Sequence, residues 1–163
     1  MFLNYSRAYK KFPEALAIGG YITNEVKWQK NEENIKLDKK FDYDGWVRDE
    51  PLRFRIRKMF GLQPDTKPCF LPTFSHGRSV SFLPPSGKIY KVEQIMGGVA
   101  SYRKEVFDTL NFSKYFEGYG LYEDTDFSLR VSKIGPLYVN TNARLGHYHN
   151  KSGRPNKFKY GKM

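Results

Sequence analysis

Residues 123–135, EDTDFSLRVSKIG, constrain this chain more than any other stretch. Phe127, Val131 and Ile134 recur at i, i+4 and i+7, the spacing of an apolar stripe along one helix face. Gly135-Pro136 supplies the stop, since glycine ends helices readily and proline cannot continue one. Directly beyond, PLYVN reads as a strand, and ARLGHYHN as a second strand or a strand end. A helix with sharp limits therefore leads straight into extended chain.

Asp124 lies three residues before Phe127, at the N-terminal end of the stripe, so its carboxylate faces the body of the protein. Unpaired N–H groups at a helix start stabilise such a carboxylate by about 0.3–1 kcal/mol. The preceding loop, FEGYGLY, is rich in glycine and leaves room for a ligand. Two roles stay open at this point: general base and simple helix cap. Asp126 and Arg130 are four apart and read as an ion pair. His147 and His149 are two apart, so on a strand they share a face and could share a ligand, or serve a structural purpose. Gly97-Gly98 either lets a substrate approach the backbone or makes a bulge or turn.

The remaining chain reads as follows. ALAIGGYI, residues 15–22, is a short apolar run whose glycine pair favours a strand with close backbone approach. Residues 25–49 are charged and without steady period, predicting a long exposed excursion. Within it, Asp42-Tyr43-Asp44 reads as a pair of turn aspartates. In LRFRIRKMF, residues 52–60, Leu52, Phe54 and Ile56 alternate with Arg53, Arg55 and Arg57, the pattern of a half-buried strand or of a basic amphipathic surface element. Prolines at 64, 68, 72, 84 and 85 make residues 63–86 a long loop. KIYKVEQIM then predicts a strand, Gly97-Gly98 a break, and VASY a second strand. Residues 103–110 read as a helix with Val106, Phe107 and Leu110 on one face.

At 163 residues the chain is read as a single domain over 1–163, ending in a basic tail at 151–163. Its net charge of +11 calls for anionic partners, and its 17 % aromatic content excludes a disordered basic tail as a global description. Cys69 is the only cysteine, which excludes an intrachain disulfide framework and a thiolate zinc cluster and favours a reducing compartment. The start, MFLNYSRAYKKF, carries charge where a secretory signal needs an apolar stretch, and no apolar run nears the ~20 residues of a membrane span. The expected location is cytoplasmic, with peripheral contact at the cytoplasmic membrane face.

MGGVASYRKEVF, FEGYGLYEDTDFSLRVSKIG and ARLGHYHNKSGR, in that order, resemble the C-terminal half of family 2 glycosyltransferases with the GT-A fold. The resemblance runs from about residue 88 to 154, and ALAIGGYI is similar to the strand that follows that family's DxD motif. It implies an α/β fold: the C-terminal part of a GT-A, Rossmann-like domain with a mixed, mainly parallel sheet and without the N-terminal nucleotide-binding strands. Asp124 then corresponds to the catalytic base and Glu123 to its acidic neighbour at the acceptor. Gly97 and Gly98 correspond to the glycine loop near the donor, and Asp126 and Arg130 to site-ordering, substrate-binding positions. His147 corresponds to the histidine that approaches metal or diphosphate, with His149 in reserve.

The chemistry so implied is inverting transfer from a nucleotide-sugar donor to a hydroxyl of a saccharide or lipid-linked acceptor, in cell-surface polysaccharide synthesis, with manganese or magnesium as cofactor. No DxD precedes ALAIGGYI, so the resemblance also implies an N-terminal half or a partner chain that binds the donor. LRFRIRKMF and the basic tail would rest against an anionic membrane. Two other readings are a basic module binding nucleic acid, the less favoured partner, or a membrane surface, and an inactive partner of a glycosyltransferase.

Overall fold

The computed structural model describes residues 1–32, 38–73, 77–116 and 122–148. Most of FEGYGLY, His149 and the tail at 151–163 lie outside the described residues. The element order is α1 (Phe2–Lys11), β1 (Ala17–Ile22), β2 (Gln29–Lys30), β3 (Lys40–Tyr43), β4 (Trp46–Asp49), α2 (Leu52–Met59), β5 (Ile89–Val92), β6 (Ala100–Tyr102), α3 (Glu123–Ser132) and β7 (Leu137–Leu145).

The main sheet has the order β5-β7-β1-β6. β1 and β7 run parallel at its centre, and the outer strands pair antiparallel. This mixed α/β arrangement is compatible with a partial glycosyltransferase domain. Alternation in the central strands divides the core between two faces. Ala17, Leu137 and Val139 pack with Phe127 and Val131 of α3. Ile18, Tyr138 and Ala143 pack with Tyr5 and Ala8 of α1. The helix α1, to which sequence periodicity assigned nothing, thus closes one face of the sheet.

The glycine pair in β1 does what its composition predicts. Gly19 lies under Ile95, and Gly20 under the Tyr5 hydroxyl, where any Cβ would crowd both neighbours. The pairing of β1 with β7 shifts register between Gly19 and Tyr21: Gly19 faces Val139, while Tyr21 faces Arg144. β7 therefore bulges at 140–143, and Thr141 turns its N–H and hydroxyl to the Lys88 carbonyl at 3.1 and 2.8 Å. PLYVN and ARLGHYHN accordingly belong to one strand with a bulge, followed by 146–148, rather than to two strands.

Further expectations are corrected. The excursion at 25–49 holds a three-stranded antiparallel sheet, β2-β4-β3. Its short strands gain stability from one another and from Phe41 packed at 5.2 Å against Phe82, so no period announces them. Asp44, in the β3–β4 turn at φ 54°, accepts bonds from Lys88 Nζ at 2.7 Å and the Tyr90 hydroxyl at 2.5 Å, the turn role read from sequence, whereas Asp42, read as its companion in the turn, lies within β3. LRFRIRKMF is helical, not a strand: Phe54 alone turns inward, 1 % exposed, onto Phe82 at 5.1 Å. Residues 104–108 form a 3-10 helix in which Val106 is buried and Phe107 is exposed. Ile134 lies past the end of α3, exposed, and adds nothing to the stripe.

Two buried phenols tie stability to pH. The Tyr5 hydroxyl donates to the Val99 carbonyl at 2.6 Å, and Tyr21 is buried at the far end of β1. Burial pushes both up to about 12. Each stays neutral in the fold while its unfolded counterpart ionises near 10. The stability they contribute is therefore complete below pH 10 and drains away as pH climbs from 10 to about 12. Urea midpoints measured over that range should fall steadily; a flat midpoint contradicts the assignment.

Candidate active site

The first turn of α3 faces the glycine segment that links β5 to β6. Tyr122 precedes the helix in the left-handed region at φ 66° and offers no side-chain cap. Glu123, Asp124 and Asp126 place three acids in the first turn, where the helix dipole favours negative charge. Asp124 Oδ1 accepts the Thr125 N–H at 2.7 Å, and Oδ2 accepts the Gly97 N–H at 3.1 Å across the interface. The carboxylate thus does both things that its position allows: it satisfies a donor of its own helix and joins that helix to the glycine segment.

Gly97 sits close against the helix: a Cβ there would meet the Asp124 Cβ at 3.2 Å, a tight contact. Gly98 differs, with nothing within 4 Å of the equivalent point. Its Cβ side is open space. Among the described residues, the side-chain oxygen Oε2 of Glu123 is buried with no hydrogen-bond partner. Asp126 and Arg130 bond each other, with Asp126 Oδ2 accepting from Nη2 at 2.7 Å and from Nε at 3.0 Å. Arg130 also lies over the Phe127 ring at 5.5 Å. The pair is half-buried and braces the helix.

Ser128 was not singled out in the sequence, yet it is the fully buried link behind Asp124. Its hydroxyl donates to the Asp124 carbonyl at 2.5 Å and accepts the Ile95 N–H at 3.2 Å. A serine between Phe127 and Val131 on an apolar stripe was the available signal. Ser128→Ala leaves the Ile95 N–H buried without that partner, at a cost of about 1–3 kcal/mol. Urea unfolding should register that loss; unchanged stability would mean that the hydroxyl does not bind the two segments together.

His147 sits just beyond β7. Its N–H donates to Asn24 Oδ1 at 2.9 Å, and its carbonyl accepts Asn24 Nδ2 at 2.7 Å. The ring Nδ1 lies 2.9 Å from Glu25 Oε1. A carboxylate on one ring nitrogen is the arrangement that orients a ligating histidine. Glu25 escaped sequence reading because 122 residues separate the partners. Since β1 and β7 are parallel and β6 is antiparallel to β1, the Asn24–His147 clasp and the glycine segment lie at the same end of the sheet. Glu25 and Met96, neighbour of Gly97, line the same small cavity. Carboxyl ends of parallel strands are where open α/β sheets form ligand crevices.

His147 and Glu25 offer an imidazole and a carboxylate, donors that suit manganese or magnesium in part. Among the described residues no group of three or more His, Cys, Asp or Glu side chains could hold a metal ion. The fit is to a fraction of a coordination shell. No helix among the described residues is long and apolar enough to cross a membrane.

Residues 77–151 match a family model described as the N-terminal domain of galactosyltransferase. The matched stretch takes in the glycine segment, α3 and β7 and supports a glycosyltransferase domain here, in a general sense and not family 2 or the GT-A fold in particular. Neither a curated protein nor a solved structure matches the chain.

Proposed function

We propose that this chain supplies the catalytic-base and acceptor side of an inverting glycosyltransferase of the family 2, GT-A kind. The observation that carries the proposal is the Asp124 carboxylate, fixed between the Gly97 N–H and the first turn of α3. The match to a galactosyltransferase domain over the same residues supports it.

The acceptor hydroxyl, from a saccharide or a lipid-linked sugar, would enter beside Gly98. Asp124 takes its proton as the hydroxyl oxygen attacks the anomeric carbon of the nucleotide sugar, and the bond to the diphosphate breaks on the opposite side. Glu123 adds a second acid against the acceptor. Asp126 and Arg130 hold the helix that carries both carboxylates. A divalent cation, when bound, supplies charge neutralisation to the departing diphosphate. His147, oriented by Glu25, would be one of its ligands; His149, outside the described residues, is the alternative. The nucleotide is assigned to an N-terminal half or a partner chain, and the product to cell-surface polysaccharide made on the cytoplasmic side.

The test is the stereochemistry of the product. A nucleotide diphosphate ester of galactose, the sugar in the matching family's description, is the donor to try first. Nuclear magnetic resonance of the product formed by the protein as the source gene encodes it should show the anomeric configuration opposite to that of the donor. Retained configuration would overturn the inverting mechanism and the base role with it.

A further inference from the structure

We propose that the groove between α2 and β3 binds a single-chain amphiphile, an aliphatic chain ending in an oxyanion head, with the chain along α2 and the head towards Arg78. The groove holds about 1060 Å³, the size of a small-molecule site. Phe41 and Val47 of the small sheet and Leu52, Ile56 and Met59 of α2 form its apolar lining. Leu52, Ile56 and Met59 are 60, 45 and 80 % exposed, so this wall stands open to solvent. They follow at i, i+4 and i+7, a line of about 10 Å along the helix. A row of flexible aliphatic side chains matches a hydrocarbon chain of roughly eight carbons at that length. It offers no flat wall against which a planar ring would stack.

Charge sets the head. Arg78 lines the groove and is only 8 % exposed. Its guanidinium lies over the Phe41 ring at 4.6 Å and the Phe54 ring at 5.0 Å, which leaves its N–H edge for hydrogen bonding. Glu50 Oε1 accepts from Nη2 at 3.4 Å, long for a charge-assisted bond, and among the described residues Nε is buried without a partner. A buried cation so thinly paired favours a further anion beside it. The groove's other charges agree in sign. Lys40 is taken by Asp49 at 2.6 Å, Asp42 accepts Asn31 Nδ2 at 2.7 Å, and Glu50 belongs to Arg78. Lys39, Arg55 and Lys58 then stand against Asp38 alone, none of the four in an ion pair among the described residues. A phosphate or a carboxylate head meets this chemistry equally.

The proposal is independent of the transferase chemistry, since none of these residues belongs to the Asp124 site. Its test is isothermal titration calorimetry of the full chain with decyl phosphate below its micelle concentration, beside octyl phosphate, decanoate and decyltrimethylammonium. One decyl phosphate should bind per chain, about tenfold more tightly than octyl phosphate, because each buried methylene contributes about threefold. Decanoate should bind too, and the tighter of the two heads tells a lipid phosphate from a fatty acid. Decyltrimethylammonium should bind at least about tenfold more weakly than either. Ile56→Glu, on the exposed wall, should weaken decyl phosphate about tenfold or more. Arg78→Met keeps an unbranched chain between the rings, removes the charge, and should erase the preference for phosphate over trimethylammonium. Circular dichroism checks that it folds. R55E/K58E, at two positions that are not buried, tests the same charge without touching the core and should cost about tenfold. No saturable binding of decyl phosphate, no gain from octyl to decyl, equal affinity for the trimethylammonium, or full binding by I56E or by R55E/K58E would each overturn the proposal.

Discussion

Gly20→Ala is expected to cost the fold about 3 kcal/mol or more, as overpacking does where backbone must yield. A Cβ at residue 20 would stand 2.5 Å from the Tyr5 hydroxyl and 2.8 Å from the Ala143 carbonyl oxygen. The tyrosine could move only by giving up its 2.6 Å bond to the Val99 carbonyl. The carbonyl belongs to the bulged stretch of β7, whose polar groups are already committed to Lys88 and Gly87. One methyl group would thus strain the packing of α1 on the sheet and the bulge that leads to His147. Gly98→Ala is the matched control: with nothing within 4 Å, it should leave stability unchanged. Urea midpoints decide between them, and equal midpoints for the two variants would contradict this picture of β1.

Features whose cause is local in the chain were the ones legible in sequence. ALAIGGYI, the two strands around Gly97-Gly98, and the helix from Glu123 all carry their period or their break within a few residues. Asp124 could be singled out because a carboxylate at the head of an apolar stripe is visible without a partner. The partner that fixes its position, the Gly97 N–H, lies 27 residues away. Separation in sequence likewise hid Ser128 as the link to Ile95, 33 residues away, and Glu25 as the companion of His147, 122 residues away. LRFRIRKMF left a half-buried strand and a basic amphipathic surface element both open. Of its residues only Phe54 packs on Phe82, so one inward residue fixes the element at the surface and helical backbone bonds satisfy the rest. The β2-β4-β3 sheet was silent because two- and four-residue strands are too short to show a period.

The larger effect is expected at Asp124. Asp124→Asn keeps the shape of the side chain but removes the basic oxygen, and a missing general base costs about 10²–10⁴ in rate. It also turns an amide NH₂ towards one of two N–H donors, from Gly97 or Thr125, so stability should fall by about 1 kcal/mol. That loss is too small to unfold an ordinary domain, and the two consequences separate cleanly. A helix cap would show the second without the first.

The decisive measurement is nucleotide diphosphate release by wild type and Asp124→Asn, in the protein as the source gene encodes it, with donor affinity measured alongside. Turnover that falls at least about a hundredfold at unchanged donor affinity is the predicted result. Turnover equal to wild type would contradict the assignment of Asp124 as the base, and with it the proposed chemistry of the site.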